Sequence, residues 1–358
     1  PEANDDPQAD PLPDLGWDWQ HWPRQPRAMQ PDAILERAVP TRQRLYWPLG
    51  EPLLFQTDEP DLLAIVDETL GRFPPLPDDG RPPLVVRIFV HDVSSCPGDP
   101  GAEGAPTIYR THGHLLYVSI GVGNTAVADL IHGRAFGFVT PSLVRNPARF
   151  RDTFSHSLAF SLLAATRGFA SFHAACLVKD GVGAILLGDA GAGKSTLAFA
   201  WARRGHQVLA EDALFVGRRG GRARLWGLPW KLHLLPDSPR FFPELEAEEP
   251  RLQVNGEWKL EVELEAYYPG SAVTDAAPGP IVLLDRRRGH GTACIEPLSP
   301  GDLRAGFRDI WPWWVGWNDE LARRVESLLA GGAFRLWTND DPDQAVDALE
   351  NWWAGYRE

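Results

Sequence analysis

The chain has few cysteines, a single methionine and no long apolar run, and the missing features exclude whole classes of protein. The three cysteines of the 358 residues, Cys96, Cys176 and Cys294, are odd in number and far apart. They form neither a disulfide framework nor a metal-ligand spacing. No run approaches the roughly 18 apolar residues of a membrane span, and no amino-terminal run resembles a signal peptide. We therefore expect a soluble, cytoplasmic protein.

Positive charge is also scarce. Lysine and arginine together number 35 against 48 aspartates and glutamates, which gives a net charge of −13. Nucleic acids and anionic membranes both attract proteins through a positive field. We expect neither of them as a partner, although a local basic cleft is compatible with this composition.

Tryptophan, in contrast, is abundant, with 15 residues. The clusters are Trp17, Trp19 and Trp22, then Trp311, Trp313, Trp314 and Trp317, and finally Trp352 and Trp353. One interpretation is core packing. The other is an aromatic surface that holds a peptide, because tryptophan is enriched at binding hot spots.

The length exceeds what one hydrophobic core usually serves, so we predict more than one domain. Residues 1–30 are rich in proline and acid and predict a flexible tail. Residues 31–150 predict a smaller α/β domain that binds substrate, and residues 151–310 predict the catalytic domain. Residues 311–358 predict a helical, tryptophan-rich segment. The fold class is therefore α/β.

A glycine-rich loop is the clearest chemical signal. The run GDAGAGKST matches G-x-x-x-x-G-K-[ST], with an apolar strand before it and a helix after it. In such a loop the backbone N–H groups converge on phosphate oxygens, the lysine reaches the terminal phosphates and the serine hydroxyl can bind Mg²⁺. The predicted nucleotide-binding residues are Gly188, Asp189, Ala190, Gly191, Ala192, Gly193, Lys194, Ser195 and Thr196.

Phosphoryl transfer also needs carboxylates, and two places offer them. Glu211 and Asp212 follow the strand after the loop's helix, where open α/β sheets place ligand groups. Asp285 follows a second aliphatic strand, although an ion pair at the strand end explains it equally well. We favour Glu211 and Asp212. Adjacent residues of a strand point to opposite sides, so the two acids are expected to have different duties unless the chain turns there.

The run from Phe172 to Phe215 resembles the catalytic domain of HPr kinase/phosphorylase and its relatives, among them kinases of lasso peptides. The likeness consists of a histidine before the first strand, the phosphate loop, an Arg-Gly-His at the helix end and a two-acid motif. It implies a P-loop kinase domain of HPr-kinase type that uses ATP and Mg²⁺. It also implies that Glu211 is the general base, that Asp212 and Ser195 bind the metal, and that His173 lies beside the phosphates.

The sequence departs from that family at two positions. The acid pair is usually Asp-Asp, whereas this chain has glutamate at position 211, and Thr196 stands where a glutamate often follows the serine. The downstream signature with asparagine and glutamine is not evident either. These departures argue against phosphorolysis and against HPr as the substrate.

Several cations are weaker candidates for contacts to substrate or phosphate. Lys259 matches a basic position often seen in relatives, and Arg251 and Arg286 follow the acid pair at a distance. Each of them would neutralise charge in a phosphoryl transition state. A solvated surface charge is the alternative for each, as it is for Lys231.

The favoured function is an ATP-dependent kinase that phosphorylates a serine or threonine hydroxyl of a peptide or small protein. Two alternatives stay open: a kinase of small metabolites, and a nucleotide-sensing ATPase or binding protein. The resemblance also implies a homo-oligomer, since relatives are often multimeric.

Overall fold

The computed structural model describes residues 39–77, 80–91, 105–121, 123–228, 231–253, 256–286, 291–299, 301–302, 328 and 331–356. The predicted tail of residues 1–30 lies outside these ranges. So do Cys96 and the tryptophans of the first two clusters, at positions 17, 19, 22, 311, 313, 314 and 317.

Strands and helices interleave along the described chain, so the prediction of a mixed α/β fold is confirmed. The strands are β1 (Arg42–Tyr46), β2 (Leu53–Thr57), β3 (Leu84–Val90), β4 (Thr107–His112), β5 (Leu115–Ile120), β6 (Asn124–Asp129), β7 (Arg134–Val139), β8 (Ala170–His173), β9 (Ala175–Lys179), β10 (Val182–Leu187), β11 (Gln207–Ala210), β12 (Ala213–Arg219), β13 (Arg222–Gly227), β14 (Lys231–Leu234), β15 (Arg251–Leu252), β16 (Trp258–Glu263), β17 (Asp275–Arg286), β18 (Cys294–Pro297) and β19 (Ala333–Thr338).

The longer helices are α1 (Pro60–Asp67), α2 (His156–Arg167), α3 (Lys194–Arg203) and α4 (Pro342–Tyr356). Short helical turns occur at Pro48–Gly50, Leu70–Arg72, Pro141–Val144, Pro147–Arg149, Ser238–Arg240, Pro243–Leu245 and Leu264–Tyr267. Within the described residues, none of the helices has both the length and the apolar character that a membrane crossing requires.

The first sheet contains the strands of the N-terminal half, in the order β1-β2-β3-β7-β6-β5-β4. Only the β2–β3 and β3–β7 pairs are parallel, and the remaining pairs are antiparallel. The β4–β5 hairpin turns at Gly113, with His112 paired to Leu115. Alternate residues of β2 and β5 are buried, which places one face of this sheet against the core.

A π-helical segment leads from the first sheet into α2. Phe150–Ser155 form this segment, and α2 continues from it. Gly168 ends the helix in the left-handed conformation, with φ of 70°, as is common for a glycine at a helix C-cap. The buried face carries Phe154, Leu158 and Leu162, which recur at helical spacing.

The second large sheet carries the glycine-rich loop. Its main path is β11-β9-β10-β17-β13-β12-β8, and β19 pairs with both β17 and β18. The strands β10, β17 and β19 are parallel neighbours. β11 runs in the same direction as β10, because each of them is antiparallel to β9, which lies between them. The carboxyl ends of these four strands therefore meet at one edge of the sheet.

The C-terminal segment is not wholly helical, which corrects the prediction for residues 311–358. Residues Ala333–Thr338 form β19, which pairs in parallel with β17 in the second sheet. Leu336 and Thr338 are buried while Arg335 and Trp337 are partly exposed, and this period of two is typical of strands. The prediction of a helix in the last residues agrees with α4.

The last tryptophan pair packs inside the protein. Trp353 is 2% exposed and its ring lies 5.8 Å from that of Trp201 on α3. Trp352 packs against Phe334 at 4.7 Å. For this pair, core packing describes the observed contacts.

Aromatic side chains join the two large sheets. Phe160 of α2 stacks on Phe215 of β12 with 4.7 Å between ring centroids, and Phe169 meets Trp226 of β13 at 5.2 Å. Both Phe215 and Trp226 belong to the same buried cluster as the core residues of the first sheet. The contact between the sheets is therefore a continuous apolar core.

A small third sheet has the strand order β14-β16-β15. Lys231 and His233 lie on β14 and are paired in register with Glu263 and Glu261 of β16. Residues of one strand that are two apart share a face. Lys231 and His233 therefore point the same way.

Candidate functional site

The glycine-rich loop occupies the turn between β10 and α3. Gly191 and Gly193 have φ of 79° and 98°, backbone angles that residues other than glycine rarely adopt. A side chain at Gly188 would meet the Ala192 Cβ at 3.0 Å and the carbonyl oxygen of Leu284 at 3.2 Å. The loop is thus packed closely against the neighbouring strand, and α3 begins directly at Lys194.

Lys194 lies within the loop that precedes it. Its Nζ donates hydrogen bonds to the carbonyl oxygens of Gly188 at 2.8 Å and Asp189 at 3.3 Å. Burial lowers the pKa of this ammonium, while the nearby carboxylates of Asp212 and Glu211 work against that shift. A buried cation held among loop carbonyls is suited to meet a polyphosphate at the same place.

Glu211 follows β11 directly and faces the loop. The Ser195 hydroxyl donates a hydrogen bond to Oε1 of Glu211, and Nδ1 of His233 lies 3.3 Å from its Oε2. Glu211 is only 8% exposed. Desolvation lowers the pKa of His233, but the hydrogen bond and charge of Glu211 outweigh it, so the pKa of His233 is raised.

Asp212 has a different environment from its neighbour. Its side chain is 61% exposed, and its Oδ1 lies 2.6 Å from Nδ1 of His173 at the end of β8. The Ala174 N–H donates to the main-chain oxygen of Asp212 at 3.0 Å, which ties the residue to the start of β9. Desolvation raises the pKa of Asp212, but the hydrogen bond and charge of His173, with further positive charges nearby, lower it overall.

These contacts explain how two adjacent acids come to differ. β11 ends at Ala210, so Glu211 and Asp212 lie in the turn between β11 and β12. One carboxylate reaches the loop's serine and the other reaches a histidine from β8. The chain turns here, so the strand alternation on which the expectation of different duties rested does not apply, and the two acids differ instead in the partners that the turn gives them.

A cleft of about 930 Å³ opens above the carboxyl edge of the second sheet. The residues that line it come from four parts of the chain. The phosphate loop and the start of α3 form its floor, with Glu211 and Asp212 beside them. The other parts are the third sheet, the ends of β17 and β19 with the start of α4, and the first half of the chain through residues such as Arg72 and Arg151.

The weaker candidates from the sequence are distributed unevenly. Lys259 lines the cleft and contacts Glu257 at 2.9 Å, and Arg286 lines it too. Arg251 is 71% exposed, contacts Glu261 at 3.7 Å and is not among the residues that line the cleft.

Asp285, the alternative acid, lies at the end of β17 and outside the cleft lining. Its Oδ2 is 3.9 Å from Nε of Arg335, on the neighbouring strand β19. This ion pair at a strand end matches the structural explanation that the sequence left open, although the partner arginine is distant in the sequence and is not one of the arginines that follow Asp285.

Sequence reasoning missed several cleft residues. His233 was not singled out, although its alternation with Lys231 on a short strand was a usable signal. Arg151, Asp152 and His156 come from the π-helical segment and its continuation, and π-helical turns occur often at functional sites. No local pattern placed them beside a loop some 40 residues further along the chain.

Among the described residues, no group of three or more histidine, cysteine, aspartate or glutamate side chains is arranged to hold a metal ion. Mg²⁺ that is bound with a nucleotide needs fewer protein ligands, because it keeps several waters and binds one or two carboxylates together with phosphate oxygens. The Ser195 hydroxyl and the Glu211 carboxylate, in contact beside the loop, are a donor set of that kind. The residues present therefore fit Mg²⁺.

Comparisons with known proteins agree with part of this description. No protein-family model matches the chain. The HPr kinase/phosphorylase of Prosthecochloris aestuarii is 38% identical to it over 52 residues, which is 14% of this chain and 15% of that protein. The chain is therefore similar to HPr kinase/phosphorylase over a short segment, and the resemblance seen in the residues is confirmed to that extent.

Among solved structures, the HPr(Ser) kinase/phosphatase of Coxiella burnetii aligns with a TM-score of 0.29 and 15% identity. The alignment covers 53% of this chain and 99% of the other. A TM-score this low does not establish a shared fold.

Proposed function

We propose that the protein is an ATP-dependent kinase with a P-loop domain of HPr-kinase type, which phosphorylates a serine or threonine hydroxyl of a peptide or small protein. One observation carries the proposal. The glycine-rich loop with Lys194 and Ser195 shares a single cleft with two carboxylates that have separate partners. The short similarity to an HPr kinase/phosphorylase supports the same reaction class.

The geometry supports an exchange of the roles that the resemblance implied for the two acids. Ser195 contacts Glu211, not Asp212, so Ser195 and Glu211 are the residues that would hold Mg²⁺. The ion, when bound with ATP, would neutralise charge on the phosphates. Glu211 is buried and already has two partners, which makes it poorly placed to meet an incoming alcohol.

Asp212 is the better candidate for the general base. Its exposed carboxylate can reach a hydroxyl in the cleft, and His173 fixes its orientation. In the proposed step the acceptor oxygen forms a bond to the γ-phosphorus as the bond to the leaving ADP breaks, and Asp212 takes the hydroxyl proton. Lys194 would stabilise the charge that develops on the transferred group.

The size and walls of the cleft support an acceptor larger than a metabolite. Beyond the phosphate loop, the first half of the chain adds a wall with both charge signs, including Glu68, Arg72 and Asp152. Such a wall offers hydrogen-bond donors and acceptors to an extended peptide. A peptide or small protein is therefore the proposed partner.

The decisive experiment is a screen of acceptors with γ-labelled ATP, which compares the wild type with Lys194→Ala, Glu211→Gln and Asp212→Asn. Label on a peptide serine or threonine supports the proposal. Label on a metabolite favours a small-molecule kinase, and free phosphate alone favours a nucleotide-sensing ATPase.

The same variants separate the two acids when their ATP affinity is measured alongside transfer. If Asp212 is the base, Asp212→Asn loses transfer but keeps its affinity for Mg·ATP, whereas Glu211→Gln binds ATP with a weaker dependence on Mg²⁺. The opposite pattern would identify Glu211 as the base, as the family resemblance implied.

A further inference from the structure

The second flank of the cleft is built by strands that have no part in the acid pair. β10, β17 and β19 are parallel and in register, with Leu187 beside Leu283 and Arg286 beside Thr338. The chain that follows β19 therefore emerges at the same edge of the sheet as the phosphate loop, two strands away from it. Ligands of open α/β sheets bind at the carboxyl ends of such strands.

This flank lines the same cavity as Lys194. Its lining residues are Arg286, Thr338, Asn339, Asp340, Pro342 and Ala345. Helix α4, which begins at Pro342, is anchored to α3 through the Trp201 and Trp353 rings and through Arg204, which contacts Asp347 at 2.6 Å. The flank is thus fixed relative to the helix that follows the phosphate loop.

Hydrogen bonds within the connecting loop hold it in one conformation. Asn339 Nδ2 donates to Oε1 of Gln344 at 2.8 Å, and the N–H of Asp341 donates to Oδ1 of Asn339 at 2.9 Å. A loop that is already ordered costs little additional entropy when a ligand binds it. This property suits a binding surface.

The chemistry of the flank differs from that of the acid side. Asp340 is 68% exposed, and Arg286 Nη2 contacts its Oδ1 at 2.7 Å. A carboxylate has about four lone-pair sites, so one arginine contact leaves it able to accept from a further donor. Pro342, which is partly exposed, adds apolar surface to the same lining, whereas Ala345 behind it is buried. A carboxylate next to a small apolar surface matches a nucleoside, which offers ribose hydroxyls and a flat base.

We infer that the nucleoside half of the triphosphate lies against residues 338–345, with Asp340 accepting a hydrogen bond from a ribose hydroxyl. Arg286 is then a positioning residue that holds Asp340. The acceptor substrate binds on the opposite flank, beside His173 and Asp212. This inference rests on the proposed function, namely that the phosphate loop binds Mg·ATP.

The test uses calorimetric affinities of the full chain, with Mg²⁺, for ATP, 2′-deoxy-ATP, 3′-deoxy-ATP and inorganic tripolyphosphate. The wild type should bind at least one deoxy analogue about tenfold more weakly than ATP, the effect expected from one hydrogen bond to a charged group. Asp340→Ala should bind all three nucleotides equally, at that weaker level, and should bind tripolyphosphate as the wild type does.

Glu246→Ala is the control, because it removes the same charge from an exposed side chain outside both the cleft lining and the α3–α4 anchor. It should leave all four affinities unchanged. Equal binding of ATP and both deoxy analogues by the wild type, or an equal loss of ATP and tripolyphosphate in Asp340→Ala, would overturn the inference. A wild type that binds neither ATP nor tripolyphosphate would refute the proposed function itself.

Discussion

The two large sheets contribute to the cleft in different ways. The second sheet supplies the phosphate loop and both acids from the ends of strands that run in one direction. The first sheet supplies a wall through connecting segments, such as the turn at Arg72 and the π-helical segment with Arg151. The loop and the acids thus lie at the carboxyl edge of one sheet, whereas the opposite wall of the cleft belongs to the connections of the other.

Substitutions in the two regions are therefore expected to change different properties of the protein. Substitutions at the edge of the second sheet should alter chemistry and leave the fold intact. Substitutions where the sheets meet should alter stability, because Phe160 and Phe215 belong to one buried cluster. Four experiments test this division, in order of decreasing expected effect.

The largest effect is expected at the phosphate loop. Lys194→Ala should reduce phosphoryl transfer by about a thousandfold or more, because a preorganised cation next to the transferred group is lost. The unfolding midpoint should change little. Steady-state kinetics and thermal unfolding measure the two quantities, with Lys179→Ala, at the end of β9, as the control. A variant that loses stability as well would contradict the division.

The junction between the sheets is the next test. Phe215 is 5% exposed and stacks on Phe160. Phe215→Ala should lower the free energy of unfolding by about 3 to 5 kcal/mol, the usual cost of truncating a buried phenylalanine. Urea unfolding measures it.

Ile131→Ala is the control for that measurement, since Ile131 is 66% exposed. If the junction is as continuous as the buried cluster indicates, both halves of Phe215→Ala should unfold in one transition. Two separate transitions in the wild type would show that the sheets fold independently.

A smaller, pH-dependent effect is expected at His156 in the wall from the first half. Burial lowers the pKa of this imidazole from 6.5 to about 4. The unfolded chain then binds a proton that the folded chain does not, so stability is complete above pH 6.5 and falls as the pH drops toward 4. The loss over that window should be about 3 kcal/mol at most.

His156→Leu should flatten this part of the stability profile, measured by urea unfolding at several pH values. His112→Leu, at the exposed β4–β5 turn, serves as the control. An unchanged slope in His156→Leu would mean that other groups govern the acid sensitivity.

The smallest effect is expected where the first half contacts the third sheet. Arg72 and Glu263 form an ion pair whose side chains are 36% and 33% exposed. Pairs of this exposure contribute about 0 to 1 kcal/mol. A double-mutant cycle with Arg72→Ala and Glu263→Ala should give a coupling in that range that decreases with added salt. A coupling above 2 kcal/mol would mean that this surface pair contributes substantially to the stability of the contact between the halves, which would contradict the main role given to the buried junction.

Features that depend on a few neighbouring residues could be predicted from the sequence. The strand, loop and helix around Lys194 follow from a local pattern, as does the helix end at Gly168. The end of β11 just before Glu211 could also be predicted, because two acids interrupt an apolar strand. In each case the backbone conformation is set by glycine, charge or apolar period within one segment.

Features that depend on strand pairing could not be predicted in this way. β19 joins the parallel strands after a long connection, and its few residues resemble many other short apolar stretches. His233 and Asp340 reach the cleft only because distant strands place them there. Their side chains have no local signature of that position.

A glycine-rich loop of the phosphate-binding pattern and two acids after the next strand are evident in the sequence, since these are properties of contiguous residues. The contacts of Ser195 with Glu211 and of His173 with Asp212 arise only in the folded chain. Strand order explains them. β9 inserts between β10 and β11, and β8 approaches from the far end of the sheet path, so the partners of each acid come from pairings that no local pattern encodes.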